Sequence, residues 1–249
     1  MKIIITGHKE LKTEYAYDAN HEVILFSCNV DELIKKVASY KYLLSATETA
    51  TYQRYNKAAD AANFLAGRVL VRLLFSKLNN CLAEDILILP GENNKPVAVH
   101  KHGKELKISC FNLSHHANVL IIAMTTVPVG VDVEKIGSVD YTCMINDVCT
   151  DKEIDFLQKE TFSAGRFFCL WTRKEAVLKC MGIGLIDDLK RLQLCEDVNY
   201  FSHNGFGMDL CFIHDLTILD EYVASICYAS DKQLPVYFLD VNKVIEDCL

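Results

Sequence analysis

Residues 117–134, ANVLIIAMTTVPVGVDVE, are the stretch on which the architecture turns. Val119 to Met124 is a continuous apolar run, Thr125 to Pro128 carries the break, and Val129 to Val133 resumes as strand, so the spacing predicts a β-hairpin. Its second strand holds an anomaly. Side chains alternate faces along a strand, which puts Asp132 and Glu134 on one side and Val131 and Val133 on the other. Two neighbouring carboxylates repel, and either a solvated outer face or a hard divalent cation relieves them.

Working outward, Thr150 and Glu153 form a capping-box pattern that opens the helix TDKEIDFLQKE. A long helix is predicted from about Arg166 to Met181, ending at Gly182. On it Phe167, Leu170, Trp171, Leu178 and Met181 share one stripe, and Lys174 falls inside that stripe. A lysine on a core-facing stripe needs a reason, and the plain one is a snorkelling side chain. Glu175 lies at the stripe's edge, and Lys179 follows one turn later. Three carboxylates and two ammonium groups facing one another describe a site for a phosphate-bearing substrate with Mg²⁺.

On the N-terminal side, MKIIIT and HEVILFSC read as strands and residues 31–46 as helix. AADAANFLAGRVLVRLLFSKLN, residues 58–79, is a second long helix with a stop at Asn79–Asn80. ILILPGENNKPVAV reads as two short strands around a Gly/Asn/Pro turn that ends at Lys95. In FNLSHH, Ser114 and His115 are phosphate donors; as immediate neighbours in an extended segment they point to opposite faces, which argues against a Ser–His nucleophile pair. LKRLQLCE, GMDLCFIHDL, YVASICYA and VYFLDV supply further strands. Two successive blocks, each with one long helix and several strands, predict an α+β protein of two similar lobes, residues 1–127 and 128–249.

Composition bounds the rest. The 249 residues are 51% hydrophobic and 24% charged with four prolines, which fits a globular chain with a substantial core. A formal charge of −7 argues against nucleic acid as partner. Eleven scattered cysteines without a CxxC pair read as reduced core residues. Absence of a signal-peptide pattern and of an apolar run long enough to span a bilayer leads to an expectation of a cytoplasmic protein with no membrane partner.

Taken together, GVDVE at 130–134 and WTRKEAVLK at 171–179 resemble the GxDxE and WxxKExxxK motifs of 4′-phosphopantetheinyl transferases of the surfactin-synthetase-activating type. FNLSH at 111–115, NKP at 94–96 and FLAGRVLVR at 64–72 are similar to that family's remaining segments, in the same order. The resemblance implies two pseudo-symmetric lobes, each a small antiparallel sheet packed on a long helix, with the active site in the inter-lobe cleft. It implies transfer of the phosphopantetheine arm of coenzyme A to a serine of an acyl or peptidyl carrier protein by a monomer. Asp132, Glu134 and Glu175 would hold Mg²⁺, with Glu175 also the proton acceptor, and Asp132 and Lys174 would complete the catalytic set. Lys95, Ser114, His115, Lys174 and Lys179 would contact coenzyme A. Carriers of this kind are acidic around their serine, so an acidic enzyme needs a local apolar or basic patch to receive one. Two other readings share these residues: a carrier-binding module without transfer, and a Mg²⁺-dependent enzyme on another diphosphate. Two departures stand out. Residues 59–63, AADAAN's Ala59 to Asn63, carry no basic side chain, and Asn94 replaces a glycine; Asn tolerates the left-handed backbone a glycine would supply.

Overall fold

A computed structural model describes residues 3–5, 22–137, 140–158, 163–184, 188–194, 200–203, 208–218 and 220–241. In chain order the N-terminal half contributes β1 (Ile3–Ile5), β2 (Val23–Asn29), α1 (Val30–Ala38), α2 (Ala46–Arg54) and α3 (Ala58–Asn79). Then come β3 (Ile86–Pro90), β4 (Pro96–His100), β5 (Cys110–His116), β6 (Val119–Thr125) and β7 (Val129–Lys135). The remainder holds α4 (Ile145–Val148), α5 (Asp151–Gln158), α6 (Ala164–Met181), β8 (Tyr200–His203), β9 (Met208–Ile218), β10 (Tyr222–Ala229) and β11 (Val236–Asp240). The chain forms two compact units, one of residues 1–10 and 127–233 and the other of residues 11–126 and 234–249, and the α+β class is as expected.

The quoted stretch is not a hairpin. β6 runs antiparallel to β2 on one side and to β5 on the other, and β7 pairs instead with β10 in a different sheet. The reason is legible in hindsight: every residue of β6 is buried, as in a central strand, and a strand with both edges filled has no edge left for a hairpin partner. The loop at 125–128 is therefore the crossing from one unit to the other.

The unit built around β6 has the strand order β11-β2-β6-β5, with β3 and β4 as a separate two-stranded ribbon. Helix α3 buries Leu65, Val69, Leu70, Leu74 and Phe75 against Ile24, Phe26, Phe111 and Ile122. At about 1.5–3 kcal/mol per buried large aliphatic or aromatic side chain, this helix-on-sheet contact dominates the unit's stability. Asn80 ends α3 in the left-handed conformation, φ 50°, at the expected stop. Residues 31–46 are not one helix: α1 ends at Ala38 and a short 3₁₀ turn occupies Lys41–Leu43.

The second unit has the order β1-β9-β10-β7, with β8 on β9, and α6 packs on β7 and β10. The chain ends cross over: β1 pairs with β9, and β11 lies parallel to β2. A strand that returns from the other half of the chain escapes the hairpin constraint that makes neighbours antiparallel, so the sheet around β6 is mixed where an antiparallel one was expected. LKRLQLCE is not a strand over its described part either. Leu189–Arg191 form a 3₁₀ turn, and the backbone groups of Leu189 and Leu194 bond to side chains of α5 and α6. The nine described cysteines are all free thiols. Burial, aided by the Glu153 and Asp215 carboxylates, pushes Cys149 up to about 11 and Cys169 up to about 12, which keeps them protonated and inert.

Candidate active site

Gly130 explains how the carboxylate strand and α6 meet. A Cβ at this position would stand 2.1 Å from the Ala176 carbonyl oxygen and 2.3 Å from the Cys180 nitrogen. The β7 backbone therefore lies directly on the α6 backbone, an approach only glycine permits. One turn of α6 is thereby pressed against Val131 and Asp132, and Lys179 Nζ donates to Asp132 Oδ1 at 2.6 Å and to the Val131 carbonyl at 3.3 Å.

Asp132 is 4% exposed, with Ser225 of β10 directly opposite; Glu134 follows on the same face and is half-buried. Glu175 comes from α6. Its Oε1 is buried and has no hydrogen-bond partner. Burial raises its carboxyl above the ordinary range, and the Asp132 and Glu134 charges raise it further, against the opposing pull of Lys179. The structure thus brings Asp132, Glu134, Glu175 and Lys179 within one electrostatic neighbourhood. As they stand, no three His, Cys, Asp or Glu side chains among the described residues form a closed metal-ligand set. What these carboxylates share is an excess of negative charge around an orphaned buried oxygen, which is the deficit a divalent cation fills.

Lys174 differs from expectation. It is fully buried, and its three N–H donors go to the Val148 carbonyl at 2.7 Å, Glu153 Oε2 at 2.8 Å and the Leu189 carbonyl at 3.1 Å. All three donors are thus engaged inside the unit, and none reaches Asp132, Glu134 or Glu175. Its partner Glu153, also fully buried, was legible only as a helix cap: the capping box with Thr150 is present in both directions, at 2.8 and 3.2 Å. The same carboxylate also accepts from Leu194 N at 2.7 Å. A second ion pair went unread. Arg173 binds Asp215 through Nε and Nη2 and donates Nη1 to the Leu194 carbonyl, while Ser225 bridges Asp215 and Thr172. The sequence signal for it, an Arg one residue before Lys174 facing an Asp in a strand, is too common to single out.

The other expected residues lie in the unit around β6. Lys95 is half-buried and ends the β3–β4 turn, which Gly91 N closes on the Lys95 carbonyl at 2.8 Å. Asn93 and Asn94 take φ of 49° and 63°, so Asn94 does adopt the left-handed geometry. Ser114 is buried and His115 exposed on successive positions of β5, hence on opposite faces.

A two-unit α+β chain with a carboxylate strand laid on a lysine-bearing helix is the class of protein these observations define. Two family models match it in adjoining stretches: 4′-phosphopantetheinyl transferase, N-terminal, over residues 34–127, and the 4′-phosphopantetheinyl transferase superfamily over residues 128–227. The chain belongs to the 4′-phosphopantetheinyl transferase superfamily. It is 30% identical over 152 residues to the 4′-phosphopantetheinyl transferase psf-1 of Bacillus pumilus, covering 61% of this chain and 63% of that protein. To the transferase gsp of Aneurinibacillus migulanus it is 29% identical over 147 residues, 57% of each chain. To Sfp of Bacillus subtilis it is 29% identical over 181 residues, 71% of this chain and 78% of that one. In the first two, the match spans about three fifths of the relative's length.

Proposed function

We propose that this protein transfers the 4′-phosphopantetheine arm of coenzyme A to a serine of an apo acyl or peptidyl carrier protein, releasing adenosine 3′,5′-bisphosphate. The observation that carries the reading is the convergence of Asp132, Glu134 and Glu175 beside Lys179, on the two segments that match the family's motifs. The named activity of the relatives supports it.

In this mechanism Asp132, Glu134 and Glu175 would hold Mg²⁺, which would supply Lewis-acid charge against the diphosphate. Lys179 sets the Asp132 carboxylate and adds positive charge at the same place. Glu175 accepts the carrier serine's proton as the serine oxygen bonds to the phosphorus and the nucleotide departs with the electrons of the broken P–O bond. Lys95, Ser114 and His115 bind the phosphates of coenzyme A. Lys174 and Glu153 fix the helix that presents Glu175 and Lys179. The reading takes one chain, a monomer acting in the cytoplasm, as sufficient for the reaction.

The test is intact-mass measurement of an apo carrier incubated with the protein, coenzyme A and Mg²⁺, with and without EDTA. A mass gain of one phosphopantetheine that EDTA removes is the expected result. Absence of coenzyme A binding would overturn the reading.

A further inference from the structure

The β3–β4 ribbon has one face too apolar for its position. Its antiparallel register sets Leu87 opposite Val99 and Leu89 opposite Val97. All four point outward, 36–44% exposed, while Ile86 and Ala98 on the other face are buried in the core. An outer face of a two-stranded ribbon is ordinarily polar, and contiguous exposed aliphatics on a water-soluble surface mark contact sites. The chain leaving β4, KHGKELK at 101–107, is exposed at Lys101 to Glu105 and at Lys107, and carries three lysines and a histidine against one carboxylate, in a protein of net charge −7. Asp85 holds Lys101 at 2.6 Å, so the positive charge offered outward is mainly that of Lys104 and Lys107.

We propose that this face, Leu87, Leu89, Val97 and Val99 with the lysines of loop 101–107, docks the carrier protein, receiving an amphipathic surface whose apolar residues are flanked by carboxylates. The inference rests on the transferase reading above. The aliphatic quartet supplies the dry centre of an interface and the lysines its charged rim. Position supports it as well. Val97 and Val99 are two and four residues along an extended strand from Lys95, hence roughly 7 and 13 Å from a proposed contact to a coenzyme A phosphate, so a carrier on this face would sit beside the co-substrate.

The experiment compares the wild type with Leu89→Ser/Val97→Ser and with Lys104→Glu/Lys107→Glu, reading KM for the apo carrier, KM for coenzyme A, kcat, melting temperature and oligomeric state. These side chains are outward-facing, so the melting temperature should hold. Docking predicts a roughly tenfold rise in carrier KM in each double variant, with coenzyme A KM and kcat unchanged. Carrier KM unchanged in both, with transfer intact, overturns the docking site and leaves the transferase reading standing. A wild-type dimer made monomeric by the serine variant would assign the face to a second copy instead and also overturn it. Failure of the wild type to bind coenzyme A overturns both readings together.

Discussion

The same device is built twice, once in each unit. Around β6, Ser45 and Glu48 form a capping box at the start of α2, and the Glu48 carboxylate also accepts from Arg72 of the long helix α3 at 2.7 Å. Around α6, Thr150 and Glu153 cap α5, and Glu153 accepts from Lys174 of the long helix at 2.8 Å. Each long-helix cation then reaches a carbonyl just beyond its own helix, Ile86 for Arg72 and Leu189 for Lys174. Both helices end on a left-handed residue, Asn80 and Gly182. The repetition is one of roles and not of letters, since Ser/Thr and Arg/Lys exchange within it.

The two copies differ in tightness. Glu153 and Lys174 are wholly sealed, whereas Glu48 is 7% exposed and has a second cation, Arg68, at 3.6 Å. Helix and strand also approach differently. At Gly130 a Cβ would collide with backbone, while at Gly67 on α3 it would meet only the Leu113 side chain at an ordinary 3.5 Å. The unit that carries the carboxylates is the one whose helix cannot shift. On that helix Lys179 makes its 2.6 Å bond to Asp132.

Asp132→Ala should abolish Mg²⁺-dependent transfer while the far-ultraviolet circular dichroism stays native; a fully active variant would remove the carboxylate strand from the mechanism. Gly130→Ala comes next, with destabilisation of roughly 3 kcal/mol, the upper end of overpacking costs, and near loss of transfer. Gly67→Ala should be neutral or gain up to about 1 kcal/mol from helix propensity. Equal denaturant midpoints for the two alanine variants would erase the contrast between the units.

Lys174→Met leaves Glu153 buried and unpaired, so urea unfolding should show a loss of about 3–5 kcal/mol. Arg72→Met should lose less, because Arg68 stays beside Glu48. A Lys174→Met protein of native stability that binds coenzyme A poorly would return Lys174 to the substrate.

The smallest effect concerns Glu175 in metal-free protein. Its folded proton affinity is raised, so the native state binds the extra proton more tightly; the associated stability is present below the unfolded carboxyl range and is lost as pH rises through the folded value. Glu175→Gln should therefore raise the melting temperature near neutral pH and leave it unchanged in acid. Added Mg²⁺ should stabilise the wild type and not the variant. Equal melting temperatures for the two proteins at both pH values would mean that neither burial nor the Asp132 and Glu134 charges raise the Glu175 carboxyl.

Much of this protein was legible in one dimension. The amphipathic run at 58–79 fixed α3 and its Asn80 stop, the Thr150–Glu153 pattern fixed the start of α5, and alternation put Asp132 and Glu134 on one face, because each depends on neighbours a few residues apart. Tertiary structure alone decided the partners. The pairing of β6 and β7 with different sheets, the parallel entry of β11 beside β2, and the meeting of Lys174 with Glu153 join residues tens to hundreds of positions apart. Local periodicity states that a lysine faces the core; which carboxylate awaits it there is settled only when the helices pack.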